Sequence, residues 1–339
     1  MKNENSESNN MRRVILDFPK QFRVGLDAVK KTVVNRKLKN ISNIIICAMG
    51  GSALPGNVLK SANANLRFTK LPIFIHRDYG LPSEAKKESL IICISYSGDT
   101  EETISAFREA RKRNLKMAVI TSGGKILNLA KRNNIPLAIV PFGIQPRCAL
   151  GYQFASLAKI LSNFGAIKSI DRQLLAMEKS LKPERIEQSG KKIAKKLKNS
   201  IPVIYSSGSF SSLAKIWKIK FNENSKIPSF FNFFPELNHN EMVGIGETKL
   251  KEAKKILKII IIRDKNEDRN ILKRMSVMAN ILKEKKFDIF FIDVKEKGFF
   301  EKFFSNILLG DWVSYYLALF QKIDPNPVLL VEEFKKKIK

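Results

Sequence analysis

The chain has 339 residues, 44% hydrophobic and 27% charged, which is enough for two α/β domains with a sizeable core and unlike a disordered composition. Against 32 Asp and Glu stand 61 Lys and Arg, a formal net charge of +29 that suits an anionic partner. The lysines are spread along the chain, as in Lys191-Lys192 and Lys195-Lys196, and apolar runs such as residues 259–262 have strand length. A solvated surface that steers a small anion therefore fits better than a nucleic-acid interface or a membrane-spanning helix.

Residues 1–10 are polar, read as a disordered tail, and contain no apolar signal region. Phe18-Pro19-Lys20-Gln21 leads into a helical stretch through about Lys39. A buried-type strand at 43–47 turns through Gly50-Gly51-Ser52 into a helix around Val58 and Leu59. Small residues at such a turn let backbone approach a ligand. The next strand, 73–75, is followed by His76, read as structural or exposed, and by the loop Arg77-Asp78-Tyr79-Gly80-Leu81-Pro82.

The run Ile-Ile-Cys-Ile-Ser-Tyr-Ser-Gly-Asp-Thr-Glu-Glu-Thr at 91–103 is a strand, a hydroxyl-rich loop and a helix start. Ser95, Ser97 and Thr100 stand beside unpaired backbone N–H groups at the positive end of a helix dipole, and Gly98 allows the chain to turn. That constellation suits a phosphate monoester, although the same residue types also make plain turns and N-caps. Gly98 stands alone and no Gly-Lys-Ser/Thr follows, so neither the dinucleotide fingerprint nor the P-loop is present.

A strand at 117–120, a short helix about 126–131 and a strand at 137–140 complete an alternating pattern. It predicts a doubly wound parallel sheet with ligands at the carboxyl ends of the strands, where the Gly50-Gly51-Ser52 turn and the 95–100 loop converge. Pro141 to Tyr152 closes this domain, and a helix from Phe154 follows. A charged helical stretch, 174–197, reads as a connector.

The strand at 201–206, the Ser207-Gly208-Ser209 turn and a helix to Phe221 echo the first half, and residues 259–293 repeat the layout of 91–122. Where the first copy has Ser95, Ser97 and Thr100, the second has Arg263, Lys265 and Asp268, so its phosphate hydroxyls are gone. Trp312 and its neighbouring tyrosines read as core. Asp324-Pro325-Asn326-Pro327 precedes a terminal helix, 329–338.

Domains are thus expected at 11–165 and 200–322, with a helical connector at 166–199 and a C-terminal helix at 323–339. Cys47, Cys93 and Cys148 are odd in number and widely spaced. They read as reduced, packed thiols of a cytoplasmic protein. With no His-x-x-x-His or Cys-x-x-Cys, no metal site and no cofactor are expected.

With these stretches in hand, the chain resembles the bifunctional phosphoglucose/phosphomannose isomerase family, typical of archaea. The likeness rests on Phe-Pro-x-Gln, Gly50-Gly51-Ser52, Arg-Asp-Tyr-x-Leu-Pro, Ser-Tyr-Ser-Gly-x-Thr-x-Glu-Thr, Pro146-Arg147-x-Ala149-x-Gly151, Asn222-Glu223-Asn224 and Asn238-His239-Asn240-Glu241, in that order over nearly the whole chain. The resemblance implies two sugar-isomerase domains of flavodoxin-like, doubly wound α/β type.

It further implies that Ser52, Ser95, Ser97 and Thr100 hold a sugar phosphate beside the Gly50-Gly51 backbone. Arg147 would stabilise an enediolate, Glu223 would move a proton between C1 and C2, and His239, donated by the neighbouring subunit of a homodimer, would open the ring. Lys335 matches a site lysine of the C-terminal helix. The substrates implied are glucose 6-phosphate, mannose 6-phosphate and fructose 6-phosphate. The rival readings are another phosphosugar isomerase of the same fold and a non-catalytic sugar-phosphate sensor that binds nucleic acid.

Overall fold

The structure, a computed structural model, describes residues 4–30 and 37–338. In chain order the elements are α1 (Glu4–Asp17), α2 (Gln21–Lys30), β1 (Asn43–Ala48), α3 (Leu54–Leu66), β2 (Ile73–His76), β3 (Ser89–Ser95), α4 (Glu101–Lys112), β4 (Lys116–Thr121), α5 (Gly124–Arg132), β5 (Leu137–Ile139), α6 (Leu150–Asn163) and α7 (Asp171–Ser180). Then come α8 (Pro183–Lys196), β6 (Ile201–Ser207), α9 (Ser211–Lys220), β7 (Phe230–Phe234), α10 (Glu241–Gly246), α11 (Lys251–Ile256), β8 (Leu257–Asp264), α12 (Arg269–Glu284), β9 (Asp288–Val294), α13 (Phe299–Phe320) and α14 (Leu329–Lys337).

The chain divides into two compact units, residues 17–181 and residues 1–16 with 182–339. The first holds a parallel sheet in the order β2-β1-β3-β4-β5. Its strands are continuous apolar runs because helices cover both faces: every residue of β1 and β3 is buried. The second unit holds a parallel sheet in the order β7-β6-β8-β9. Each strand of the second sheet takes the place of its counterpart in the first, so the internal repeat expected from sequence extends to strand order, and β5 is the addition of the first copy. The α/β, doubly wound class is as expected.

Several boundaries differ from the expectation. The helix α1 begins at Glu4, inside the stretch read as a disordered tail, and residues up to Leu16 cluster with the second unit instead of opening the first. Arg12 is the anchor, since its guanidinium grips the Glu187 carboxylate of α8 through two hydrogen bonds of 2.9 and 2.8 Å. The helix expected through Lys39 has ended before residue 37; residues 31–36 of that expectation lie outside the described residues. Past it, the Leu38 N–H donates to the Phe164 carbonyl and Asn40 adopts a left-handed conformation (φ 55°).

Nor is 166–199 a connector. It breaks at extended Leu181, α7 stays with the first unit, and Pro183 opens α8 in the second. The physical reason is α8 packing on α13. A Cβ on Gly190 would lie 2.3 Å from the Trp312 Cβ, and the Trp312 indole N–H donates to the Pro183 carbonyl at 2.9 Å.

By length and composition α13 would cross a membrane, yet it is the central core helix of its unit. Trp312 is fully buried, and Asp311 is paired with the buried Lys220 of α9. The segment 230–234 is an edge strand with Phe234 buried and Phe230 and Phe233 on the surface.

Candidate active site

In the first unit the carboxyl ends of β1 and β3 lie side by side, with Cys47 opposite Cys93 and Ala48 opposite Ile94. Both cysteines are free and buried; a hydrogen bond that the Cys93 S–H gives to the neighbouring Cys47 sulfur, together with burial, pushes Cys93 well above the ordinary thiol range. These are packing thiols.

The two turns above them converge as expected. The Tyr96 N–H donates to the Ser52 hydroxyl at 3.0 Å, joining the β3–α4 loop to the Gly50-Gly51-Ser52 turn. Within the loop the Ser95 hydroxyl donates to the Thr100 hydroxyl at 2.9 Å and accepts the Gly98 N–H at 3.1 Å. Ser95 is fully buried, so it is the internal brace of the loop, while Thr100 is half-buried and Ser97 exposed.

Thr100 is the N-cap of α4 but makes no side-chain cap bond. The first-turn N–H groups of α4 thus keep their positive end available, as an anion site requires. The Asp99 carboxylate accepts the Lys125 N–H of α5 at 3.0 Å.

Gly98 makes this loop possible. It sits at φ +79°, and a Cβ there would lie 1.8 Å from the Gly123 carbonyl oxygen. Gly98→Ala is therefore expected to cost about 2–4 kcal/mol, left-handed strain and backbone overlap together, and to abolish inhibition by inorganic phosphate. Thermal unfolding and phosphate-inhibition measurements check both.

The second copy shows what a closed version looks like. At the β8–α12 loop the Asp268 side chain caps Asn270 N at 2.7 Å, Arg263 pairs with Asp293 at 2.7 Å, and Lys302 pairs with Asp264. Arg263 holds the Asp293 carboxyl below its usual range. Cap and charges are satisfied internally, leaving no counterpart of the open α4 terminus.

Arg147 is fully buried in a short helical turn, residues 146–148, and its Nη1 donates to Gln145 Oε1 at 3.3 Å. The turn is pressed onto the glycine pair, since a Cβ on Gly51 would lie 2.6 Å from the Arg147 backbone nitrogen. Tyr96 ties the loop before Arg147 to the β3–α4 loop: its hydroxyl donates to the Pro141 carbonyl at 2.8 Å and accepts the Ile144 N–H at 3.3 Å. Burial pushes its phenol up to about 12. Ser52, Ser95, Thr100, Gly50, Gly51 and Arg147 thus form one hydrogen-bonded and packed cluster in this unit.

Glu223, His239 and Lys335 belong to the other unit. Glu223 sits half-buried in a π-helical turn, Phe221–Ser225, at the end of α9. Such turns widen a helix by one residue and re-aim its side chains. α13 holds this one in place: Asn224 Nδ2 donates to the Ser314 hydroxyl at 2.9 Å, the Ser225 hydroxyl donates to the Ser314 carbonyl at 2.8 Å, and Lys220 pairs with Asp311.

His239 is exposed on a short turn after β7. That turn is fixed by Glu241, whose carboxylate accepts from the Tyr205 hydroxyl at 2.7 Å and from Asn232 Nδ2. Burial first, and the Glu241 charge second, raise the Tyr205 phenol far above its usual range. Lys335 lies on the exposed helix α14.

Two residues of the cluster escaped the sequence reading of roles. Gln153, fully buried on α6, reaches the Ser52 hydroxyl at 3.4 Å; its only sequence signal is a Gln inside an apolar helix. Gln21 is visible in Phe-Pro-x-Gln, but its partners, 127 and 130 residues away, are not.

Residues 37–141 match the SIS domain, and residues 186–338 match the bacterial phospho-glucose isomerase C-terminal SIS domain. The chain is 35% identical over 334 residues to the bifunctional phosphoglucose/phosphomannose isomerase of Caldicellulosiruptor bescii, covering 96% of this chain and 97% of that protein. It is 35% identical over 310 residues to the protein of that name from Aquifex aeolicus, covering 90% and 93%. In fold it is similar to the tagatose-6-phosphate ketose/aldose isomerase of Escherichia coli, with a TM-score of 0.67 at 13% identity, covering 93% and 94%.

Proposed function

Since the chain belongs to the bifunctional phosphoglucose/phosphomannose isomerase family, we propose that it interconverts glucose 6-phosphate and mannose 6-phosphate with fructose 6-phosphate through a cis-enediol, without a cofactor. The protein is a sugar-phosphate aldose–ketose isomerase. The observation that carries the specific reading is the uncapped α4 N-terminus with its hydroxyl loop, braced against the buried Arg147 turn.

In this reading the ester end of the hexose is held by Ser52, Ser97, Thr100 and the Gly50-Gly51 backbone, with Ser95 bracing the loop from within. Glu223 takes a proton from one carbon and returns it to the next, a task for one positioned carboxylate. Arg147 supplies the fixed cation for the developing oxyanion. His239 exchanges a proton with the ring oxygen, and Lys335 adds a second cation from α14. Acting on both C2 epimers requires rotation of the enediol about C2–C3.

We assign His239 to the neighbouring subunit's site in a homodimer. The surface phenylalanines Phe230 and Phe233, 55% and 36% exposed, lie immediately before the His239 turn and support an interface there. Three buried free thiols fit a cytoplasmic setting.

A coupled assay with glucose 6-phosphate and mannose 6-phosphate supplied separately, in excess EDTA, tests the reading. Both are expected to yield fructose 6-phosphate. Turnover of glucose 6-phosphate alone removes the second activity, and no turnover of either ends the proposal.

A further inference from the structure

Gln21 is a buried polar side chain, only 1% exposed, and carries no role in the reaction as proposed above. Its position follows from the local sequence. Phe18 and Phe22 pack edge to face in the core with centroids 5.5 Å apart, Pro19 shapes the turn between them, and Gln21 opens α2. The side chain is thereby delivered against the start of α6.

There its amide is read in one orientation only. Oε1 accepts the Gly151 N–H at 3.0 Å and the Tyr152 N–H at 3.4 Å, two first-turn donors of α6 with no partner inside their own helix. Nε2 donates to the Cys148 carbonyl at 2.9 Å. A flipped amide would set donor against donor and acceptor against acceptor, so three backbone groups fix which atom is which.

Space is equally restrictive. A Cβ on Gly151 would lie 2.7 Å from the Gln21 Cβ, so the approach depends on glycine at 151. The α2–α6 contact around it is tight, with the Ser156 hydroxyl donating to the Gly25 carbonyl at 2.8 Å.

Arg147 sits in the turn that this amide holds. The turn is gripped on its C-terminal side by Gln21 through Cys148 and Gly151, and on its N-terminal side by the close approach of Gly51 to the Arg147 nitrogen. We propose that Gln21 is a positioning residue for isomerisation: its amide clamps residues 148–151 and so aims the Arg147 guanidinium at the developing oxyanion. The proposal rests on the role given to Arg147 above. In this reading Gln21 touches no reacting atom and acts through the turn alone.

The test separates chemistry from binding and from stability. Gln21→Met keeps the packing volume and removes all three hydrogen bonds, and Gly151→Ala pushes the amide aside with Gln21 intact. Each variant, and Arg147→Lys, is assayed at 25 °C for kcat, KM and inhibition by glucitol 6-phosphate, an open-chain hexose phosphate with no carbonyl to isomerise. Thermal melts establish that the assayed protein is folded.

Gln21→Met and Gly151→Ala are expected to lower kcat about 10–100-fold, as a misplacement of a catalytic group by about 1 Å does, while KM and the inhibition constant stay within about twofold. In the double variant Gln21→Met/Arg147→Lys, kcat should fall little further than in Arg147→Lys alone, because both changes disable one group. Wild-type kcat in either folded clamp variant, or multiplicative losses in the double variant, would overturn the coupling. Full activity of Arg147→Lys and Arg147→Gln would instead overturn the role of Arg147, and the clamp proposal with it.

Discussion

Glu223→Gln is expected to lower kcat by about two to four orders of magnitude with both aldose substrates while inhibition by glucitol 6-phosphate is retained, since loss of a positioned general base removes proton transfer and leaves the ester grip untouched. The substitution is nearly isosteric, and the carrier turn is held by groups other than the carboxylate: Asn224 and Ser225 bond to Ser314, and Lys220 pairs with Asp311. A fold defect is therefore not the expected cause. Full activity in this variant would remove Glu223 from the mechanism.

The same variant tests whether the site is shared between subunits, as proposed. His239→Ala is expected to be inactive on ring-closed substrate, and mixing it with Glu223→Gln under subunit exchange should restore about a quarter of the wild-type rate: half of the dimers are mixed, and one of their two sites is intact. No recovery, with mixed dimers shown to form, would put His239 in its own subunit's site.

Asp311→Ala should be the most destabilising single change near Glu223. Lys220 is 1% exposed and Asp311 5%, and their side chains are hydrogen-bonded across α9 and α13. Removing the carboxylate leaves an ammonium in the core without its counter-charge, at a cost of about 3–5 kcal/mol. Replacing both residues, as Lys220→Met with Asp311→Leu, removes the desolvation penalty along with the attraction and should return stability to within about 1–2 kcal/mol of wild type.

Urea unfolding of the single and double variants checks this. Because Lys220 ends α9 just before the π-helical turn, Asp311→Ala should also lower kcat as Glu223 loses its support. If the single variant loses under about 1 kcal/mol, Lys220 has found another partner or water, and the pair is not what holds the turn.

How much of this was legible follows from the range of each interaction. The strands at 43–48 and 89–95 and the run 259–262 are local: unbroken Ile-rich runs, buried on both faces, that say parallel sheet without further help. The turn at 95–100 was equally legible as a local unit, since Ser95, Gly98 and Thr100 lie within six residues and meet each other in space. The ends were less so. Polar residues 4–10 look solvated in isolation, yet the helix they open is held further on by Arg12 gripping Glu187, and α8 reads as a charged linker until Gly190 is set against Trp312.

Sequence by itself determined the α/β class, the repeat of one sheet unit, and the candidate phosphate loop, because backbone propensity, burial period and turn chemistry act over a few residues. Only the tertiary structure decided that Ser95 braces the loop from within, that Gln21 reaches across 127 residues to the Arg147 turn, and that the second copy has closed its own helix terminus with Asp268. Those outcomes depend on which distant groups share a lone pair or a void, and chain order carries no record of that until the core has packed.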